Sequence, residues 1–86
     1  MISLANDGFW KLYYRLPPLV RDHARYAHAL FLENPDPPSL RFKKLNGPGN
    51  FWSVRLGGDY RVVGERSGDN ITWLWIGTRQ AFGKVF

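Results

Sequence analysis

Hydrophobic and polar positions follow two different rhythms along the chain. In the first part the apolar residues return every three or four positions, and in the last part they alternate. The clearest helical stretch runs from Pro18 to Glu33. Val20, Ala24, Ala27 and Phe31 form one stripe, and Leu19, His23, Tyr26 and Leu30 widen it. Arg21, Asp22, Arg25 and Glu33 occupy the opposite side. Ahead of it, Asn6 or Asp7 is placed to cap a short amphipathic turn over residues 9–16, with Phe9, Tyr13 and Leu16 on one side. Pro17 and Pro18 stop that turn and pre-set the first turn of the next helix. Prolines at 35, 37 and 38 end the long helix, so residues 34–38 read as a rigid connector.

Residues 39–45 alternate briefly, with Leu40 and Phe42 on one side and Arg41 and Lys43 on the other. Residues 46–50 are turn-rich. Three strands follow, over 51–56, 60–66 and 71–76. A three-residue loop at 57–59 pairs Leu56 with Tyr60, Val54 with Val62 and Trp52 with Gly64. A two-residue loop would instead mix the two faces. For the second hairpin, a two- or four-residue loop sets Arg66 against Ile71, Gly64 against Trp73 and Val62 against Trp75. Trp52, Val54, Leu56, Tyr60, Val62, Ile71, Trp73 and Trp75 then share one face. Helices should cover it, giving an α+β fold with an N-terminal helical pair on one face of a small antiparallel sheet, a three-stranded meander plus the short preceding strand. Gly64 is expected where a side chain would crowd the indoles of Trp52 and Trp73.

The chain has 86 residues, enough for one small domain, 1–86. Four Trp, six Phe and four Tyr must supply most of its burial. There is no Cys, which removes disulfides and thiolate zinc sites and fits a reducing cytoplasm. With only His23 and His28 besides, neither a metal nor a cofactor is expected. No apolar run is long enough to cross a bilayer, and no signal peptide is expected at the start. His23 is expected to be packed, and His28 solvated.

The net charge is +5. Residues 1–36 balance, with four basic and four acidic groups, whereas residues 37–86 hold eight basic groups against three acids. A basic half of this kind suits an acidic or polyanionic partner, although a soluble domain can simply be basic. The other sheet face should carry Ser53, Arg55, Arg61, Val63, Glu65, Thr72, Leu74 and Ile76. Arg55 lies directly opposite Arg61 there, an unfavourable pairing of like charges. Arg79 comes near the same end of the sheet. Three guanidiniums converging on an open face make a site for phosphates or carboxylates. The same spacing also fits solvated surface arginines, or a cluster that Glu65 or Asp59 neutralises.

The runs Lys44-Leu45-Asn46-Gly47, Trp52-Ser53-Val54-Arg55-Leu56, Asp59-Tyr60-Arg61-Val62-Val63 and Trp75-Ile76-Gly77-Thr78-Arg79 resemble the RelE/ParE superfamily, toxins of bacterial type II toxin–antitoxin modules. The resemblance covers nearly the whole chain. It implies a helical pair on one sheet face and, in RelE-like members, an RNA-cleaving cleft on the other that works in the ribosomal A site without a metal or cofactor. It assigns Arg61 to the scissile phosphate, with Arg55 and Arg79 as its catalytic companions. It assigns Arg41, Lys43 and Lys44 to the surrounding ribosomal or messenger RNA, and Phe82 to stacking on a base. Ribonuclease members commonly place a Tyr or His near the C-terminus. Here Phe82 and Phe86 stand instead, and neither can transfer a proton. The resemblance therefore implies one of three roles: a ribosome-dependent messenger-RNA endonuclease, a ParE-like inhibitor of DNA gyrase without chemistry of its own, or a degenerate member that keeps antitoxin binding alone. All imply a cognate antitoxin partner, with the chain a monomer or part of a toxin–antitoxin complex.

Overall fold

The computed structural model describes residues 1–34 and 40–86. Beyond Asn34, the connector expected over 34–38 lies outside the described residues, as does the start of the strand expected at 39. Among the described residues eight elements follow in order: β1 (Ile2–Ala5), α1 (Asp7–Tyr13), α2 (Pro18–Glu33), β2 (Lys43–Lys44), β3 (Phe51–Leu56), β4 (Tyr60–Ser67), β5 (Asn70–Thr78) and α3 (Arg79–Val85). The sheet order is β1-β5-β4-β3-β2.

The helices start where the caps predict. Asn6 Oδ1 accepts the Phe9 N–H at 2.9 Å, and Pro18 opens α2. Phe9 and Tyr13 are buried on α1, as are Ala27 and Phe31 on α2. The apolar stripe of α2 is narrower than its sequence suggests. Leu19 is 82% exposed and Tyr26 65%, because α2 reaches the core through its C-terminal half. No helix among the described residues is long and apolar enough to cross a membrane.

β3 and β4 pair in the expected register, from Trp52↔Gly64 to Leu56↔Tyr60, around a loop that opens with Gly57 at φ 60°. β4 and β5 begin as expected, with Arg66↔Ile71 and Gly64↔Trp73. A bulge between Val63 and Gly64 then shifts the pairing, so Val62 meets Ile76, and Val63 meets Trp75. The bulge corrects the expected faces: Ile76 joins the core and Trp75 turns to the other side. Gly64 sits where a Cβ would come within 2.8 Å of both Ile71 and Trp73, so it is Ile71 rather than Trp52 that shares the crowding.

Two further elements were not expected. β1 adds a parallel edge strand to β5, with Ile2 N–H donating to Asp69 O at 2.7 Å and Asn6 N–H to Trp73 O at 3.0 Å. α3 follows β5 directly, capped by Thr78 Oγ1, which accepts from Ala81 N–H at 3.1 Å. The strand expected over 39–45 shortens to two residues because Arg41 adopts φ 45°, which breaks an extended run. Leu40 is nonetheless buried, and its carbonyl accepts the Arg55 N–H at 2.7 Å.

The core lies between the sheet and the two N-terminal helices. Phe31 packs edge-on against Phe42 at 5.0 Å and against Trp73 at 5.3 Å. Between α1, α2 and the sheet an apolar cavity of about 430 Å³ remains open to one side.

Candidate functional site

The face of the sheet away from the helical pair gathers the arginines. β3 places Arg55 directly across from Arg61 of β4, and β5 places Gly77 on the far side of Arg61. Arg79 begins α3, its backbone N–H donating to Asp59 O at 2.7 Å. Arg61 is partly buried, and this burial lowers its pKa first. The positive fields of Arg79, Arg55 and Arg41 lower it further, in that order. Three guanidiniums thus act on that of Arg61.

Backbone carbonyls aim two of these heads without neutralising them. Arg55 Nε donates to Gly57 O at 2.7 Å, and Arg61 Nη1 donates to Tyr60 O at 3.0 Å. A guanidinium has five N–H donors, so each keeps most of its donors for a ligand. No carboxylate pairs with any of the four among the described residues; the ion pair seen there joins Arg25 and Asp22 on the outside of α2. Neither Glu65 nor Asp59 neutralises the cluster. A like-charged group without counter-ions costs folding free energy, and an anion removes that cost.

An aromatic wall stands beside the arginines. Trp75, brought to this face by the bulge, meets Phe86 edge-on at 5.6 Å and Phe82 at 6.2 Å. The rings of Phe82 and Phe86 stack at 5.5 Å. Gly77 makes room for it, since a Cβ there would lie 2.8 Å from the indole. Arg79 also lines an open hollow of about 640 Å³ with Tyr60, Asp59 and Gln80.

The sequence-derived candidates do not all share this face. Arg55, Arg61 and Arg79 come together, with Arg41 near enough to act on Arg61. Lys43 is opposite Ser53 and so belongs to the arginine side. Lys44 is opposite Trp52, on the helical side, with Nζ donating to Leu45 O at 3.4 Å. Phe82 joins the aromatic wall. Sequence reasoning missed Trp75, because strict alternation puts it in the core. It missed α3 as well, although Thr78 as a cap and Phe82 and Phe86 four apart were visible signals. Both histidines are exposed, so His23 departs from its expected packed place while His28 is exposed as expected and is hydrogen-bonded to Ser3. Both lie on α2, and the His23 ring sits by Gly57, whose carbonyl accepts from Arg55 Nε.

The geometry can hold phosphates or carboxylates and can stack a planar ring beside them. β3, β4, β5 and α3, which carry Arg55, Arg61 and Arg79, hold no His. Glu65 is two residues along β4 from Arg61.

A family model described as the ParE-like toxin domain matches residues 18–84. Among solved structures, the chain is similar to a RelB–RelE antitoxin–toxin complex from Methanococcus jannaschii, with 23% identity, 96% of this chain and 98% of that chain covered, and a TM-score of 0.77. A RelE–RelB complex from Pyrococcus horikoshii OT3 gives 23% identity, 91% and 93% coverage and a TM-score of 0.73. YafQ from Escherichia coli gives 15%, 93% and 94%, and 0.71. These likenesses establish a shared fold. No curated protein matches the sequence.

Proposed function

The chain belongs to the ParE-like toxin domain family, and from that membership we propose that it is the toxin of a type II toxin–antitoxin module that cuts messenger RNA on the ribosome in the cytoplasm. The observation that carries this reading is the cluster of Arg55, Arg61, Arg79 and Arg41, which has no carboxylate partner among the described residues. In metal-free RNA cleavage the ribose 2′-hydroxyl attacks the adjacent phosphorus, the 5′-oxygen leaves, and a cyclic phosphate forms. Negative charge accumulates on the non-bridging oxygens as the bond forms. Arg61 faces that phosphate, with Arg55 and Arg79 sharing the developing charge. Phe82 offers a stacking surface to a base, and Arg41 and Lys43 hold flanking RNA, whereas Lys44, on the helical side, is not placed to join them on that face. No His is carried by the strands or the helix that hold Arg55, Arg61 and Arg79. Tyr60 and Asp59, which line the hollow with Arg79, remain to move the proton, along with Glu65, water and the substrate's own groups.

The same lack of a histidine favours a second reading, in which the face binds DNA gyrase and does no chemistry. Either way an antitoxin partner is expected, since two of the similar structures are antitoxin–toxin complexes. An acidic or amphipathic segment would cover the arginine face or the groove beside the helical pair. Inducible expression decides between the readings. Messenger RNA cut within translated frames minutes after induction supports the endonuclease. Double-strand DNA breaks with an SOS response and intact messages support the gyrase reading.

A further inference from the structure

Arg66 lies at the other end of β4 from Arg61, with its side chain on the helical side of the sheet. Its guanidinium carbon is 4.8 Å from the centre of the Trp52 ring and 6.0 Å from that of Phe42, and those two rings stack at 4.7 Å. Asn50 fixes this group from the preceding loop. Its backbone carbonyl accepts the Arg66 N–H at 2.9 Å, its Nδ2 donates to Arg66 O at 2.9 Å, and its Oδ1 accepts from Trp52 Nε1 at 2.8 Å. One residue thus holds both the strand end that carries Arg66 and the indole beneath its guanidinium. The guanidinium itself donates to nothing among the described residues, and no carboxylate there pairs with it.

Lys44 is on the same side, opposite Trp52, whereas Lys43 is opposite Ser53 and belongs to the arginine side. β2 is the edge of the sheet, and both lysines are exposed there. The edge is therefore positive on both faces. Positive groups run from Arg61 through Arg41 and Lys43, over the edge at Lys44, to Arg66. We propose that a single RNA strand held by the arginine face crosses the β2 edge and ends on Arg66, with Lys44 and Arg66 each holding a phosphate and the outer plane of the Arg66 guanidinium stacking a base. This rests on the reading of the arginine face as an RNA site.

The chemistry of both ends fits such a strand. Arg66 keeps all five N–H donors, and a guanidinium already laid on two rings gives up little further freedom when it meets a phosphate. Lys44 Nζ makes one long contact, to Leu45 O at 3.4 Å, and has donors to spare. Neighbouring strands lie about 5 Å apart, so the edge is only about 10 Å from β4, within reach of a few nucleotides. An acidic peptide would match the charges alone. RNA matches them and also supplies the planar base that a guanidinium plane can stack.

Fluorescence anisotropy on the whole chain tests the path, with labelled single-stranded RNAs of about four and about twelve nucleotides, the first long enough for the arginine face alone. At about 0.1 M salt, Arg66→Gln and Lys44→Gln should each weaken the longer RNA by about fivefold and flatten its log–log salt slope by about 0.7. Binding of the shorter RNA should not change. Asn50→Ala keeps both charges and should still weaken the longer RNA, because Arg66 loses its fixed place. The Trp52 indole N–H resonance of the parent, which needs no variant, should shift with the longer RNA and stay still with the shorter. Parental affinity for the longer RNA in both Gln variants, or an unmoved Trp52 resonance, overturns the path. If Arg61→Gln then still weakens both RNAs, the arginine-face reading stands without it. If neither RNA binds the parent, that reading fails and the path fails with it. A polyglutamate peptide that moves the Trp52 resonance where the longer RNA does not would assign the patch to an acidic protein segment, and that also overturns the proposal.

Discussion

Arg61 shows how a side chain can be costly to the fold and still be held in place. Its neighbours Arg79, Arg55 and Arg41 all repel it, and no acid among the described residues relieves them. Replacing it should therefore be neutral or stabilising, by a few tenths up to about 1 kcal/mol. Urea denaturation of Arg61→Ala checks this, and a loss of stability would mean that the residue is structural. Two core positions should behave in the opposite way. Trp73→Ala empties a site that is 6% exposed and removes a hydrogen bond, at a cost of about 3–5 kcal/mol. Gly64→Ala pushes a methyl against Ile71 and Trp73, at a cost of about 1–3 kcal/mol in the same assay. The Arg55–Arg61 pair was legible in the sequence because matching apolar residues across the 57–59 loop leaves one register. The place of Trp75 was not, because a single extra residue reverses the face of all that follows it.

At the scale of elements, strong signals gave correct boundaries. Two prolines mark the start of α2, and clean alternation marks β3. Elements that depend on partners were hidden. β1 is four residues with no distinctive pattern, and it exists because β5 offers it an edge. α3 is seven residues long and buries none of them completely, so its stability rests on its cap and its aromatic pair. Thr78→Ala should cost about 1 kcal/mol, seen as faster exchange of the Ala81 amide, while β3 and β4 remain protected. If α3 positions the aromatic wall, the same variant should also loosen the packing of Phe82 and Phe86 on Trp75, observable in their ring shifts.

Over the whole molecule, the two sheet faces divide the work. One is closed by α1 and α2 and supplies the core. The other carries the arginines and the short α3. The +5 charge comes from the second half of the chain, which supplies Arg41, Arg55, Arg61 and Arg79. If about four phosphates are neutralised, affinity for single-stranded RNA should fall with salt at a log–log slope of about −3. Fluorescence anisotropy with a short labelled RNA measures it, and a slope near zero would separate this face from nucleic-acid binding. Growth after induction of Arg61→Ala, set beside the parent at matched protein levels, tests the arginine face most directly. The variant should fold and leave growth unchecked while the parent arrests it. Full arrest by the variant would contradict an active site built around that guanidinium.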